Sequence, residues 1–175
     1  MKEKGVVNME DAAMNDRIEM QEEEDTQKDK FLTFTLGDEV YGIEIKYVTE
    51  IIGLQPITEV PELPDYIRGI INLRGQIISV MDVRLRFKKP FREYNDRTCV
   101  IVVDIKDISI GFIVDSVAEV LSILKENIVN PPDMGGGLQN RYIKGIGKVE
   151  NDVKLLLDCN KLLNDNDAQN LENMK

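Results

Sequence analysis

Short apolar runs separated by turn residues begin at Phe31 and recur along the chain. Phe31-Leu32-Thr33-Phe34 is followed by Leu36-Gly37-Asp38-Glu39 and then Tyr41-Gly42-Ile43-Glu44-Ile45, which reads as strand, turn, strand. A shift of 69 residues brings up the same pattern: Val100-Ile101-Val102-Val103, Ile105-Lys106-Asp107-Ile108, then Ile110-Gly111-Phe112-Ile113-Val114. Ile45, Val48, Ile51 and Ile52 match Val114, Val117, Val120 and Leu121 at that shift, and Glu50 matches Glu119. Their spacing moves from two towards 3.6, so a strand running into a short helical turn or a coiled strand end is expected. The closing strands match at a shift of 76: Tyr66-Ile67-Arg68-Gly69-Ile70 with Tyr142-Ile143-Lys144-Gly145-Ile146, and Gln76–Asp82 with Asp152–Asp158. Hairpin turns at Leu73-Arg74-Gly75 and Val149-Glu150-Asn151-Asp152 join them.

The chain is therefore an internal duplication. Each half holds about five short strands, and so many strands with so little helix suggest a small closed or half-closed barrel that hides its edges. A lobe of this size is marginal alone, so two lobes are expected to pack together. The boundaries are an acidic, disordered leader over residues 1–29, a first lobe at about 31–88, a linker at about 89–97, a second lobe at about 98–163 and a disordered tail over 165–175. Strands are free to cross between the lobes. Asp158 followed by Leu162-Leu163 fits a short capped helix.

Composition narrows the function. Apolar residues make up 42% of the 175, an ordinary globular share, and no run approaches the ~20 apolar residues of a membrane span. The start lacks the basic-then-apolar build of a signal peptide, so a soluble cytoplasmic protein without membrane insertion is expected. Histidine is absent, which excludes Ser-His-Asp, Cys-His and HExxH chemistry. The two cysteines, Cys99 and Cys159, cannot build a Cys-rich zinc site; a disulfide between them stays open, with two buried thiols the expectation. The net charge of −10 disfavours nucleic acid, whose phosphates need Lys and Arg. Half of that excess lies in residues 1–30, with ten acids against five bases, densest at Glu22-Glu23-Glu24-Asp25. The basic cluster Arg84, Arg86, Lys88, Lys89, Arg92 and Arg97 lies between the halves and is expected to be a solvated linker with local ion pairs to Glu93 and Asp96.

Candidate chemistry is sparse. Gly135–Gly137 lacks the third glycine of GxGxxG and the lysine of a Walker A loop, so a flexible connection is expected. The carboxylate pairs Glu44/Glu50 and Asp104/Asp107 fall on polar strand faces or in turns, and Asn164-Asp165-Asn166-Asp167 lacks the glycine and final glutamate of a calcium loop. What is left is a binding surface. Arg74 stands out because its counterpart is Glu150, so the fold does not demand arginine there. It either forks onto a partner carboxylate or carbonyl or ties the lobes together. Gly69 and Gly145 recur in both copies, which points to a backbone need. Val48 and Val117 also coincide, as core or as the lining of a groove between lobes.

These residues resemble a known family. Phe31–Glu39 followed by Tyr41-Gly42-Ile43, then Val48-Thr49-Glu50-Ile51, Ile67-Arg68-Gly69-Ile70-Ile71-Asn72-Leu73-Arg74-Gly75, Gly111–Asp115 and Tyr142–Gly145 are similar to the CheW family of bacterial chemotaxis coupling proteins, over about residues 29–164. The resemblance implies a mainly β fold of two tandem SH3-like five-stranded β-barrel lobes with a few short helices. It implies a non-catalytic adaptor without cofactor or metal, working in the cytoplasm at membrane-bound receptor arrays. Its partners would be the cytoplasmic tip of chemoreceptors (methyl-accepting chemotaxis proteins) and the regulatory domain of the histidine kinase CheA. By matching position, Leu32, Ile45, Val48, Ile51 and Val117 would line the receptor groove. Gly69 and Arg74 would shape or support that surface, and Glu50 would belong to a kinase-contacting one.

Three rival readings stand beside this one. An OB-type nucleic-acid binder would need aromatics on a basic groove, whereas Phe31, Phe34, Tyr41 and Phe112 lie in apolar strands of an acidic chain. An enzyme would need a ligand between the lobes. The CheW-like half of a CheV protein would carry an attached phosphate-receiver domain, for which this chain is expected to be too short.

Overall fold

The computed structural model describes residues 9–132 and 141–163. The first eight residues, the Gly135–Gly137 run and the segment from 164 onward lie outside them. A helix α1 (Met9–Gln27) precedes strands β1 (Lys30–Leu36), β2 (Glu39–Glu44), β3 (Val48–Gly53), β4 (Ile67–Leu73) and β5 (Gln76–Asp82). A one-turn helix α2 (Val83–Arg86) leads towards β6 (Cys99–Ile105), β7 (Ile108–Val114), β8 (Ser116–Ser122), β9 (Ile128–Val129), β10 (Ile143–Val149), β11 (Asp152–Leu157) and α3 (Cys159–Leu162). Asp82 caps α2 by accepting from the Leu85 amide, and Asp158 caps α3 by accepting from the Asn160 amide.

The leader departs from expectation, because residues 9–27 are helical. The segment holds Met, Ala, Glu and Gln without glycine or proline, so helix propensity is high even though its charge suggested disorder. Met9, Met14 and Ile18 are all exposed, so among the described side chains this helix buries no apolar face. The expected helical turn after the second strand is only the 3-10 turn Ile45–Tyr47, and Ile51 and Ile52 belong to a strand.

The strands form two curled sheets in the orders β8-β1-β2-β11-β10-β9 and β3-β6-β7-β5-β4. Matching each strand to its repeat partner gives one order twice, with β9 added to the first sheet. Each sheet is built from both halves of the chain. The opening hairpin of one half lies beside the closing hairpin of the other, and β3 and β8 are exchanged between them. The registers repeat as well: Tyr41 opposes Leu155 across the parallel pair β2/β11, and Ile110 opposes Ser79 across β7/β5. Bulges recur on β8, opposite Leu32/Phe34 of β1, and on its repeat partner β3 at Val48/Glu50, and at Ile67/Gly69 and Ile143/Gly145 on the closing strands.

Among the described residues, hydrophobic side chains collect in three clusters. One lies within the five-stranded sheet, around Ile71, Ile78, Val80, Val100, Val102 and Ile113. A smaller one lies within the six-stranded sheet, around Phe31, Ile123 and Leu156. The largest draws on both sheets, joining Leu32, Phe34, Tyr41 and Ile43 to Met81, Ile101, Val103, Ile110 and Phe112. Most of the apolar burial that holds the molecule together is therefore shared between the lobes.

The basic segment after β5 is a seam rather than a solvated linker. Arg84 (2.9 Å) and Arg92 (3.2 Å) both reach Asp115, and Lys89 reaches Glu39 at 3.2 Å. The Arg86 guanidinium lies over the rings of Tyr66 (4.4 Å) and Tyr142 (5.1 Å), two residues matched by the repeat, and its Nε donates to the Leu162 carbonyl. These acids and rings come from distant parts of the chain, not from the neighbouring Glu93 and Asp96.

Candidate functional site

Two bulges decide which side chains share a face. On β3, Val48 opposes Val103 and Ile51 opposes Ile101, with an extra residue between. Val103 and Ile101 both point into the shared core, so Val48 and Ile51 lie on one face despite their odd separation. On β8, Val117 opposes Phe34 and Val120 opposes Leu32, again across an irregularity. The Thr33 hydroxyl holds this second bulge, donating to the Glu119 carbonyl (2.7 Å) and accepting from its amide (3.1 Å).

The result is a matched pair of apolar stripes, one per sheet, running from the shared core out to solvent. Val48 and Val117 are half-buried and pack on that core, as does Ile45 on its 3-10 turn. Ile51 and Val120 are exposed at 44% and 51%. Leu32 is only 2% exposed and belongs to the core itself, so it backs the surface rather than lining it. Val120 was not singled out for this surface from the sequence, although its match to Ile51 in the repeat marks it.

Glu50, Arg74 and Gly69 gather at a second place, the seam where the five-stranded sheet curls round on itself. β3 and β4 are its two edges. Thr58 and Ile70 exchange two 2.9 Å backbone bonds, carrying the chain after β3 onto β4. At Gly69, φ is +142° and an added Cβ would lie 2.1 Å from the Thr58 carbonyl oxygen, so a side chain would push this closure apart. The Arg74 guanidinium pairs with Glu50 at 2.5 Å. Arg74 therefore bridges two edges of one lobe and does not tie the lobes together. It also holds φ +52° in the Arg74-Gly75 turn, a conformation more natural to Asn or Gly.

Other ionisable groups serve the frame. Burial and a hydrogen bond to Glu39 push the Tyr41 hydroxyl up, and the same contact holds the Glu39 carboxyl below its ordinary range. Tyr94 is pushed up by burial and by its 2.8 Å bond to Asp82. Burial raises the Cys159 thiol to about 12, which keeps it protonated, and Cys99 is free and half-buried. Among the described residues, no cluster of three or more His, Cys, Asp or Glu is placed to hold a metal ion, and no helix is long and apolar enough to cross a membrane.

Comparison with known proteins agrees with this architecture. The CheW-like domain family model matches residues 30–167. The chemotaxis protein CheW of Klebsiella aerogenes is 36% identical over 150 residues, spanning 86% of this chain and 90% of that protein. The chemotaxis protein CheW of Treponema pallidum is 32% identical over 149 residues, spanning 83% and 88%. The crystal structure of the scaffolding protein TtCheW from Thermoanaerobacter tengcongensis is similar with a TM-score of 0.73 at 34% identity, covering 79% of this chain and 94% of that one. With the duplicated sheets, their exchanged strands and a match across most of its length, this chain belongs to the CheW family.

Proposed function

We propose that this protein is a non-catalytic chemotaxis adaptor, coupling the cytoplasmic tips of chemoreceptors to the regulatory domain of the kinase CheA at cytoplasmic receptor arrays. The observation that carries this reading is the pair of apolar stripes on β3 and β8, matched by the repeat and open to solvent at Ile51 and Val120. Two rails that diverge from a shared core suit the apolar face of a helical hairpin, the helix-in-groove mode of recognition. Four aliphatic side chains at about 1.5–3 kcal/mol each would give a gross ~6–12 kcal/mol, from which association takes a large share. A single contact would then be near micromolar, about −8 kcal/mol, and an array would supply the rest through multivalency. The edge seam with Glu50 and Arg74 is separate from these stripes and is the surface we assign to the kinase. The aromatic residues support this against a nucleic-acid reading, since Phe31, Phe34, Tyr41 and Phe112 are all buried and cannot stack on bases.

The test is an amide-shift titration of labelled protein with a receptor-tip fragment. Ile51→Lys and Val120→Lys alter exposed positions and should leave the fold intact while weakening binding tenfold or more. Val48→Lys should weaken it too, with some loss of stability because Val48 also packs on the core. Unchanged affinity in Ile51→Lys and Val120→Lys, at unchanged melting temperature, would sink the groove assignment.

A further inference from the structure

Five lysines line one open cleft at the end of the six-stranded sheet: Lys28, Lys30, Lys46, Lys125 and Lys144. Among the described lining residues, only two acids, Asp29 and Glu44, lie beside them. In a chain of net charge −10, this is a local excess of three positive charges. The lysines come from separate elements: the end of the leader, the start of β1, the 3-10 turn after β2, the turn before β9, and β10. Glu44 pairs with Lys46 at 3.1 Å and also with Lys144, so one carboxylate is shared between two ammonium groups.

The repeat supplies an internal comparison. Lys30 and Lys46 match Cys99 and Asp115 at the shift of 69, and Lys144 matches Arg68 at the shift of 76. Arg68 instead lies over the Phe91 ring at 5.0 Å. The fold builds the same sheet in the other lobe without lysine at any of these three positions. Two of the three counterparts, Cys99 and Asp115, carry no positive charge, so the charge of Lys30 and Lys46 is a property of this cleft and not of the architecture. The Lys144 side chain is 33% exposed, and its partial burial draws its ammonium below the ordinary lysine range. A carboxylate entering beside it would restore the charged form's surroundings.

We infer that this cleft is a binding site for an acidic peptide segment, in which spaced carboxylates meet the lysine rim and an apolar side chain settles against Ile128. The shape of the cleft separates this from a phosphate site. It is open to solvent, with a volume of about 500 Å³, and its cations are point charges spread over five positions on different elements. No arginine lies among its described lining residues to fork onto a single phosphate. A long polyanion would meet the acidic remainder of the molecule, whereas a short acidic peptide need only meet the cleft. The site is distinct from the stripes on β3 and β8, so it stands or falls separately from the adaptor reading.

The experiment uses the full-length protein and a fluorescein-labelled peptide, Glu-Glu-Leu-Glu-Glu, read by fluorescence anisotropy. Saturable binding is expected at low salt, falling at least tenfold between 50 mM and 300 mM NaCl. The Lys46→Gln/Lys125→Gln double variant alters exposed side chains and should bind at least tenfold more weakly at unchanged melting temperature. Lys148→Gln, an exposed lysine of β10 outside the cleft, should bind as the parent does. Failure of the peptide to saturate would overturn the proposal, as would an equal loss in Lys148→Gln. Inorganic tripolyphosphate binding as tightly through the same two lysines would assign the cleft to phosphate instead and would also overturn it. A gel shift with RNA that vanishes in the double variant, without peptide binding, would do the same.

Discussion

At Gly69 the backbone carries φ +142° while the Thr58 carbonyl oxygen sits where a Cβ would be, 2.1 Å away. Gly145, its partner in the repeat, has no positive φ, and its nearest obstacle is the methyl end of Ile128 at 2.7 Å. The same residue type thus recurs for two different physical reasons. Gly69→Ala must strain the backbone and displace a paired strand, so a loss of about 2–4 kcal/mol is expected. Gly145→Ala meets the Cγ2 methyl of Ile128 without straining its own backbone, so a smaller loss of about 1–2 kcal/mol is expected. Urea denaturation of both variants checks this, and equal losses would show that the closure at Thr58 does not constrain Gly69. The recurrence of glycine was legible in the sequence. Which copy is the rigid one was not, because that depends on a carbonyl eleven residues away in the chain.

Asp115 shows the same dependence at the scale of an element. Its carboxylate accepts from the Gly37 amide at 2.7 Å, from Arg84 at 2.9 Å and from Arg92 at 3.2 Å. It therefore pins the β1–β2 turn and α2 to the junction of β7 and β8. Both Asp115 and Arg84 have side chains 15% exposed, so removing the charge leaves a largely buried guanidinium short of its partner. Asp115→Asn should cost about 2–4 kcal/mol, whereas Arg92→Ala, at 54% exposure, should cost under about 1 kcal/mol. Thermal unfolding of the two variants separates them, and a near-neutral Asp115→Asn would mean that the hub is incidental. The basic cluster was visible in the sequence, but its partners were not, since Asp115 and Glu39 lie far from it along the chain. The bulges of β3 and β8 misled the periodicity in a similar way. An extra residue moves Val48 and Ile51 onto one face, and a spacing of three then imitates a helix.

The whole molecule is held by exchange between its halves. β1 and β2 depend on β8 and β11 for their neighbours, while β4 and β5 depend on β7. The largest hydrophobic cluster takes residues from both sheets. Neither half has a complete sheet or core alone. Fragments 30–88 and 89–163 made separately should lack a cooperative melting transition and dispersed amide spectra, and both should return on mixing. A half that folded alone would show that its hairpins find another arrangement.

The sequence by itself determined the opening and closing hairpins of each half, the turns, the duplication and the residue types of the β3 and β8 stripes, because alternation and turn chemistry are local and a repeat is visible wherever it recurs. It also excluded histidine chemistry outright. Tertiary structure decided which half each strand joins, which side of β3 faces out, where Arg74 and Asp115 find their partners, and that five dispersed lysines share one cleft. These are relations between residues distant in the chain. They are set when the shared core closes, since burying apolar surface fixes the packing of the sheets and only then fixes which charges meet.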